Sequence, residues 1–193
     1  MSSAWKKTNN ELEKEFRDAE DELYNATILV LYKFYGWRKL RIERFLNKAS
    51  EVYDECGSSN KVSLVQMCDL ELGIEVRNNK NETYKDTPYL NNDKWEIEKK
   101  NVFNKMNPVQ RQCYMIRVRQ KMKDWMFPQM LASIFLALHR KEGWGADKVL
   151  EFAEKVQEVR KEHENNIKSL KAAVKKECNI DYEWVRGKIE VEE

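Results

Sequence analysis

Glycine and proline are scarce, six and three in 193 residues. All-β chains use such residues at every turn, so their scarcity disfavours a sandwich or barrel and leaves a helix-rich fold. Histidine is scarcer still. His139 and His163 stand outside HExxH or ExxH spacing, and neither a glycine-rich phosphate loop nor GxSxG is present. These absences argue against an enzyme, a metal site or a cofactor. The four cysteines, Cys56, Cys68, Cys113 and Cys178, form no CxxC pair and are too sparse for a disulfide-stapled scaffold. Free thiols in a reducing cytosol are the simpler expectation. The mostly apolar stretch 126–138 is too short to span a bilayer, and the opening MSSAWKKTNNELEKEF lacks the apolar segment of a signal peptide. The sequence therefore predicts a cytoplasmic protein with no membrane partner.

What is present is charge and helical periodicity. Charged residues make up 35% and hydrophobic ones 41% of the chain, which is long enough to bury a real core. The net charge of +2 does not by itself demand nucleic acid.

Sliding the chain over itself by 107 positions aligns 36–52 with 143–159. Gly36, Trp37, Phe45, Lys48, Glu51 and Val52 meet Gly143, Trp144, Phe152, Lys155, Glu158 and Val159. Six identities in 17 positions exceed the roughly one expected from ordinary residue usage. The pattern predicts an all-α fold of two tandem pseudo-repeats. Each holds a long helix (9–35 and 108–141), a Gly-Trp corner, a second helix and a short third helix. In the second helices, Leu40, Ile42, Phe45, Leu46, Ala49 and Val52, and Val149, Phe152, Ala153, Val156 and Val159, form the expected apolar stripes.

Local signals set the ends of these elements. Asn107-Pro108 is a helix start, and Gly36 and Gly143 are helix stops in the left-handed conformation. Gly73 and Asn179 align at the ends of the third helices, and both suit a left-handed cap. Pro128 is expected to kink its helix. The segmentation is thus 1–76 for unit one, 77–107 for a polar linker with a short helix, and 108–193 for unit two with a C-terminal tail. The two units are expected to form one compact pseudo-twofold domain. A short hairpin near Thr87-Pro88, and a tail that forms either a short strand or a disordered end, are further expectations.

Charge is sharply divided along the chain. Residues 11–22 hold seven acids against two bases, whereas 99–123 hold eight bases and no acid. Residues 33–48 hold Lys33, Arg38, Lys39, Arg41, Arg44 and Lys48 against Glu43 alone. One reading packs the acidic first helix beside the basic helix of unit two. A second is a basic, aromatic-lined cleft for a phosphate-bearing ligand, because arginine forks grip phosphate and aromatic faces stack on bases. Its candidate phosphate contacts are Arg38, Arg41, Arg44, Arg111, Arg117, Arg119 and Lys121. Its candidate stackers are Tyr32, Trp37, Tyr114 and Trp125. Docking of an acidic protein is a third reading. Trp37 and Trp144 read more simply as core anchors under the helix corners.

The motifs Tyr35-Gly36-Trp37, the basic helix carrying Arg41, Arg44 and Phe45, and the end Leu72-Gly73-Ile74 resemble small uncharacterised helical proteins of phages and prophages of low-GC Gram-positive bacteria. The resemblance covers about 50 residues of each unit. Unit two departs from it at Gly145, Ala146 and Asp147, which replace the basic start. It implies a non-enzymatic accessory protein in the host bacterial cytosol that antagonises host defence, among them sponges for nucleotide immune signals. The expected partner is a nucleotide-like small molecule, with a homo-oligomer also fitting. The alternatives are a DNA- or RNA-binding regulator using the same basic helices, and a protein–protein inhibitor of a host factor.

Overall fold

The computed structural model describes residues 3–58, 63–78, 80–85, 105–180, 182–185 and 188–191. Its architecture is all-α with one small C-terminal hairpin. In chain order the helices are α1 (Ser3–Lys33), α2 (Lys39–Ser58), α3 (Leu64–Leu72), α4 (Pro108–Glu142), α5 (Ala146–Glu162) and α6 (Ile167–Ala173). A π-helical turn, Val174–Cys178, extends α6. Strands β1 (Tyr182–Val185) and β2 (Lys188–Val191) pair antiparallel with Tyr182 opposite Val191. The expectation near Thr87-Pro88 lies outside the described residues. Among the described residues, no helix is long and apolar enough to cross a membrane.

Backbone chemistry explains the boundaries. At the start of α4 the Asn107 side chain accepts from the Gln110 N–H at 2.9 Å, while the Gln110 side chain accepts from the Asn107 N–H at 3.0 Å. This reciprocal pair satisfies two donors that a helix start would otherwise leave open. Ser63 caps α3 through the Gln66 N–H, and Asn166 caps α6 through the N–H groups of Lys168 and Ser169. Gly73 (φ 66) and Asn179 (φ 52) both close their segments in the left-handed region. α4 runs on through Pro128, whose ring nitrogen cannot donate to the carbonyl four residues earlier. α1 begins at Ser3, six residues ahead of its expected start.

The chain divides into two compact bodies defined by spatial contact, whereas the segments 1–76, 77–107 and 108–193 follow from sequence alone. The first body comprises Met1–Val52 and Ile134–Glu193, and the second Tyr53–Ser133. In the first, α1 packs on α5, α6 and the π-turn. Its core holds Leu23, Ile28, Leu29, Leu31, Ile42, Phe45, Leu46, Ile134, Leu136, Leu138 and Phe152. Leu40 departs from the expected stripe and is 67% exposed. It lies two residues before Ile42, about 200° around the helix from it, so it points away from the buried face. In the second body Leu64, Val65, Cys68, Leu72, Trp125 and Met130 are buried. Its buried Asp124 carboxylate is paired with Lys80, and Asp69 accepts from the Tyr84 hydroxyl at 2.8 Å.

The corner glycines give a direct test. Gly36 (φ +65) and Gly143 (φ +69) have nothing within 4 Å of where a Cβ would sit, so an added methyl meets no neighbour. The cost of Gly→Ala is then the backbone strain alone, about 1 kcal/mol at each site. Each single variant should lower the melting temperature by about 2–4 °C. An unchanged melting curve for both would contradict the left-handed assignment.

Candidate functional site

The two Gly-Trp corners lie together in the first body. At each, the chain leaves a long helix through a left-handed glycine, and the following tryptophan N–H reaches back into the last helical turn. Trp37 donates to the Leu31 carbonyl at 3.0 Å, and Trp144 to the Leu138 carbonyl at 3.1 Å. His139 in the last turn of α4 bonds the Trp144 carbonyl through Nδ1 at 2.8 Å.

Each tryptophan turns edge-on to the phenylalanine eight residues later. Trp37–Phe45 centroids are 5.4 Å apart at 78°, and Trp144–Phe152 centroids 6.0 Å apart at 74°. The tryptophans meet each other edge-on at 5.9 Å, and Tyr35 lies 4.7 Å from Trp144. Edge-to-face contact sets the positive rim of one ring on the negative face of the next, which adds to the gain from burial. The Tyr35 hydroxyl is buried without a hydrogen bond of ordinary geometry. Burial, followed by the nearby Glu151 carboxylate, pushes its pKa up.

A cation covers each tryptophan. Arg41 sits 4.1 Å from the Trp37 centroid, and Lys148, 107 positions later, sits 4.3 Å from that of Trp144. Arg41 also bonds Glu142 Oε2 at 2.9 Å, while Lys48 bonds Glu142 Oε1 at 3.2 Å. Burial works against ionisation of Glu142, but the hydrogen bonds from these two bases outweigh it and hold the carboxyl below its usual range.

The sequence-predicted residues separate into distinct groups. Trp37 and Trp125 are 4% and 6% exposed, so neither ring offers an open face for stacking. Arg41 is engaged by Trp37 and Glu142. Arg38 lies over the half-buried Tyr32 ring at 5.6 Å, and Arg44 is exposed on α2. In the second body Arg111 is exposed and Tyr114 half-buried. The side chains of Arg117, Arg119 and Lys121 lie outside the described residues. The acids Asp21 and Glu22 pair with Lys171 and Arg160 at 2.7 Å each, tying α1 to α6 and α5.

The start of α2 gathers Arg38, Lys39, Arg41 and Arg44 within two helical turns. The Arg38 carbonyl accepts the first helical bonds, from the N–H groups of Arg41 and Ile42, which makes Arg38 the cap residue. An arginine side chain has no acceptor to offer the first-turn N–H groups. Positive donors therefore stand beside the positive end of the helix dipole, which favours an anion. The start of α5 also lacks a side-chain cap, but it carries Gly145, Ala146 and Asp147. Each corner keeps one base at the equivalent position, Arg41 and Lys148, and the excess of Arg38, Lys39 and Arg44 is on the α2 side.

Elsewhere in this body, an open depression of about 480 Å³ runs along α5, lined by Leu150, Ala153, Glu154, Gln157, Glu158 and Lys161. Its two carboxylates suit a phosphate poorly. Among the described residues, no group of three or more His, Cys, Asp or Glu side chains is placed to hold a metal ion. No protein-family profile matches the chain, and neither does any curated protein or solved structure.

Proposed function

We propose that the protein is a non-enzymatic binding protein that captures a phosphate-bearing, nucleotide-like anion at the basic turn opening α2. The carrying observation is the contrast between two corners of like geometry. Arg41 and Lys148 both cover their tryptophans, so that base belongs to the corner itself. Arg38, Lys39 and Arg44 have Gly145, Ala146 and Glu151 at the positions 107 later. The corner does not need those three bases; Lys39 pairs with Glu43 on its own helix at 3.8 Å, which leaves Arg38 and Arg44 for a ligand. Arg38 and Arg44 supply planar forks suited to phosphate, and the Tyr32–Arg38 pair offers a stacking surface beside them.

The phage and prophage resemblance supplies the biological reading: an accessory protein that antagonises host defence by sequestering a nucleotide signal without cleaving it. Thermal-shift measurements across a panel of cyclic nucleotides and ADP-ribose derivatives test the proposal. A hit should stabilise the full chain, and R38A/R44A should weaken its binding by about 100-fold or more. Mass spectrometry of heat-released material should recover the intact nucleotide. No shift across the panel and no released nucleotide would remove this reading.

A further inference from the structure

The repeat places two equivalent outward lines on the first body, and they differ in charge. On α2 the line is Leu40, Arg44 and Asn47, and 107 positions later on α5 it is Asp147, Glu151 and Glu154. All six side chains are exposed, at spacings of four and three that keep them on one face of each helix. Arg38 and Lys39 open the α2 line, whereas Glu158 extends that of α5. The bases of α5 are mostly engaged elsewhere: Lys148 covers Trp144, Lys155 covers Phe34 and Arg160 pairs with Glu22.

The apolar groups on the two faces are complementary as well. Leu40 is 67% exposed on the basic line, a projecting side chain between Arg38 and Arg44. The open depression of about 480 Å³ beside the acidic line exposes Leu150, at 46%, and Ala153, with Glu154 and Glu158 along it. Glu158 pairs with Lys155 at 3.0 Å, but Arg44 and Glu154 make no ion pair among the described residues. Arg38 offers the first-turn N–H groups of α2 no acceptor, so the positive end of this helix adds to the attraction for a carboxylate.

We infer that the opening turn of α2 in one copy of this chain seats on the acidic face of α5 in a second copy, with Leu40 entering the depression beside Leu150. Joining two different surfaces builds a dimer where the exchange is reciprocal and a longer chain where it is one-way. The contact needs no ligand. Arg38 and Arg44 are shared with the proposed anion site, so a phosphate-bearing ligand and a second copy exclude each other at this turn.

Sedimentation equilibrium of the full chain, shown by its ultraviolet spectrum to be free of nucleotide, tests this. Association is expected at about 0.05 M NaCl and should weaken at least about 10-fold at about 0.5 M, because salt screens exposed charges. L40D should weaken it about 10-fold or more by removing an apolar contact. Leu40 is exposed in the single chain, so the circular dichroism spectrum should stay helical. R38E/R44E and E154K/E158K each set like charge against like and should weaken association about 100-fold or more. Mixed together, each variant supplies the reversed face that the other lacks, and association should return. A chain that is monomeric at both salt concentrations overturns the inference. So does association indifferent to L40D, or two charge variants that fail to associate when mixed. A monomer that instead binds an oligolysine peptide through Glu154 and Glu158 would assign the depression to a basic partner protein and also overturn it.

Discussion

Replacing Trp144 with alanine is expected to destabilise the body formed by residues 1–52 and 134–193 by about 3–5 kcal/mol, the usual cost of emptying a large aromatic site in a core. Trp144 is 5% exposed and touches Tyr35, Trp37 and Phe152, while Lys148 covers its ring. One substitution therefore removes three ring contacts and leaves a cavity that neighbours on separate helices fill only in part. Against a typical total of about 5–15 kcal/mol, the loss is large. Denaturant titration of the full chain should show it as a lower midpoint, accompanied by weaker near-ultraviolet dichroism. Trp144→Phe should recover most of the stability. A loss for Trp144→Ala below about 1 kcal/mol, the range of surface substitutions, would contradict the cluster's role as a core.

Glu20→Gln is expected to act in the opposite direction and to depend on pH. Glu20 is 7% exposed on α1, and burial, followed by the neighbouring Asp21 charge, raises its pKa from 4.5 to about 7 despite the opposing effect of Arg17. Below pH 4 the carboxyl is protonated in both the folded and unfolded chain and carries no ionisation penalty. As pH rises from about 4.5 to 7, the unfolded chain releases this proton first, so the wild type loses stability. Above about pH 8 both states are ionised and the penalty is constant. Full burial would set it near 3 kcal/mol, and residual solvation lowers it to about 2 kcal/mol. Glutamine removes the charge and keeps the shape. The variant should match the wild type near pH 4 and exceed it by about 2 kcal/mol at pH 8, seen as a raised denaturation midpoint. An advantage that did not grow with pH would show that burial of the charge is not its source.

Much of the secondary structure was legible because its signals are local. Asn107-Pro108 marks a helix start, and Gly36, Gly73, Gly143 and Asn179 mark stops. Each depends on the φ and hydrogen-bonding demands of a few adjacent residues. The apolar stripe of α2 was legible apart from Leu40, where hydrophobic character suggested burial but helical phase places the residue outside. The start of α1 was missed because Ala4 and Trp5 are its only apolar residues before Leu12, too few to set a helical periodicity.

The candidate site was less legible. Arg41, Arg44 and Arg38 look alike in a list of bases, yet Arg41 is held by a carboxylate 101 residues away and the other two are not. Spacing along the chain carries no information about such a partner. The positions 107 apart did contain a usable signal. A base present at both corners, Arg41 and Lys148, proved to cover a tryptophan, whereas of the bases present at one corner only, Arg38 stands over Tyr32, Lys39 pairs with Glu43 and Arg44 is exposed.

The sequence alone determined that this is a helical protein, where most of its helices begin and end, and that charge is concentrated in separate blocks. Those properties follow from composition, from 3.6-residue periodicity and from local backbone limits. Tertiary structure decided that Trp37 and Trp144 face each other in a buried cluster, that Glu142 is claimed by Arg41 and Lys48, and that Val109 and Ile116 remain uncovered. Burial and pairing depend on groups brought together from distant parts of the chain, and only the packed fold specifies which ones meet.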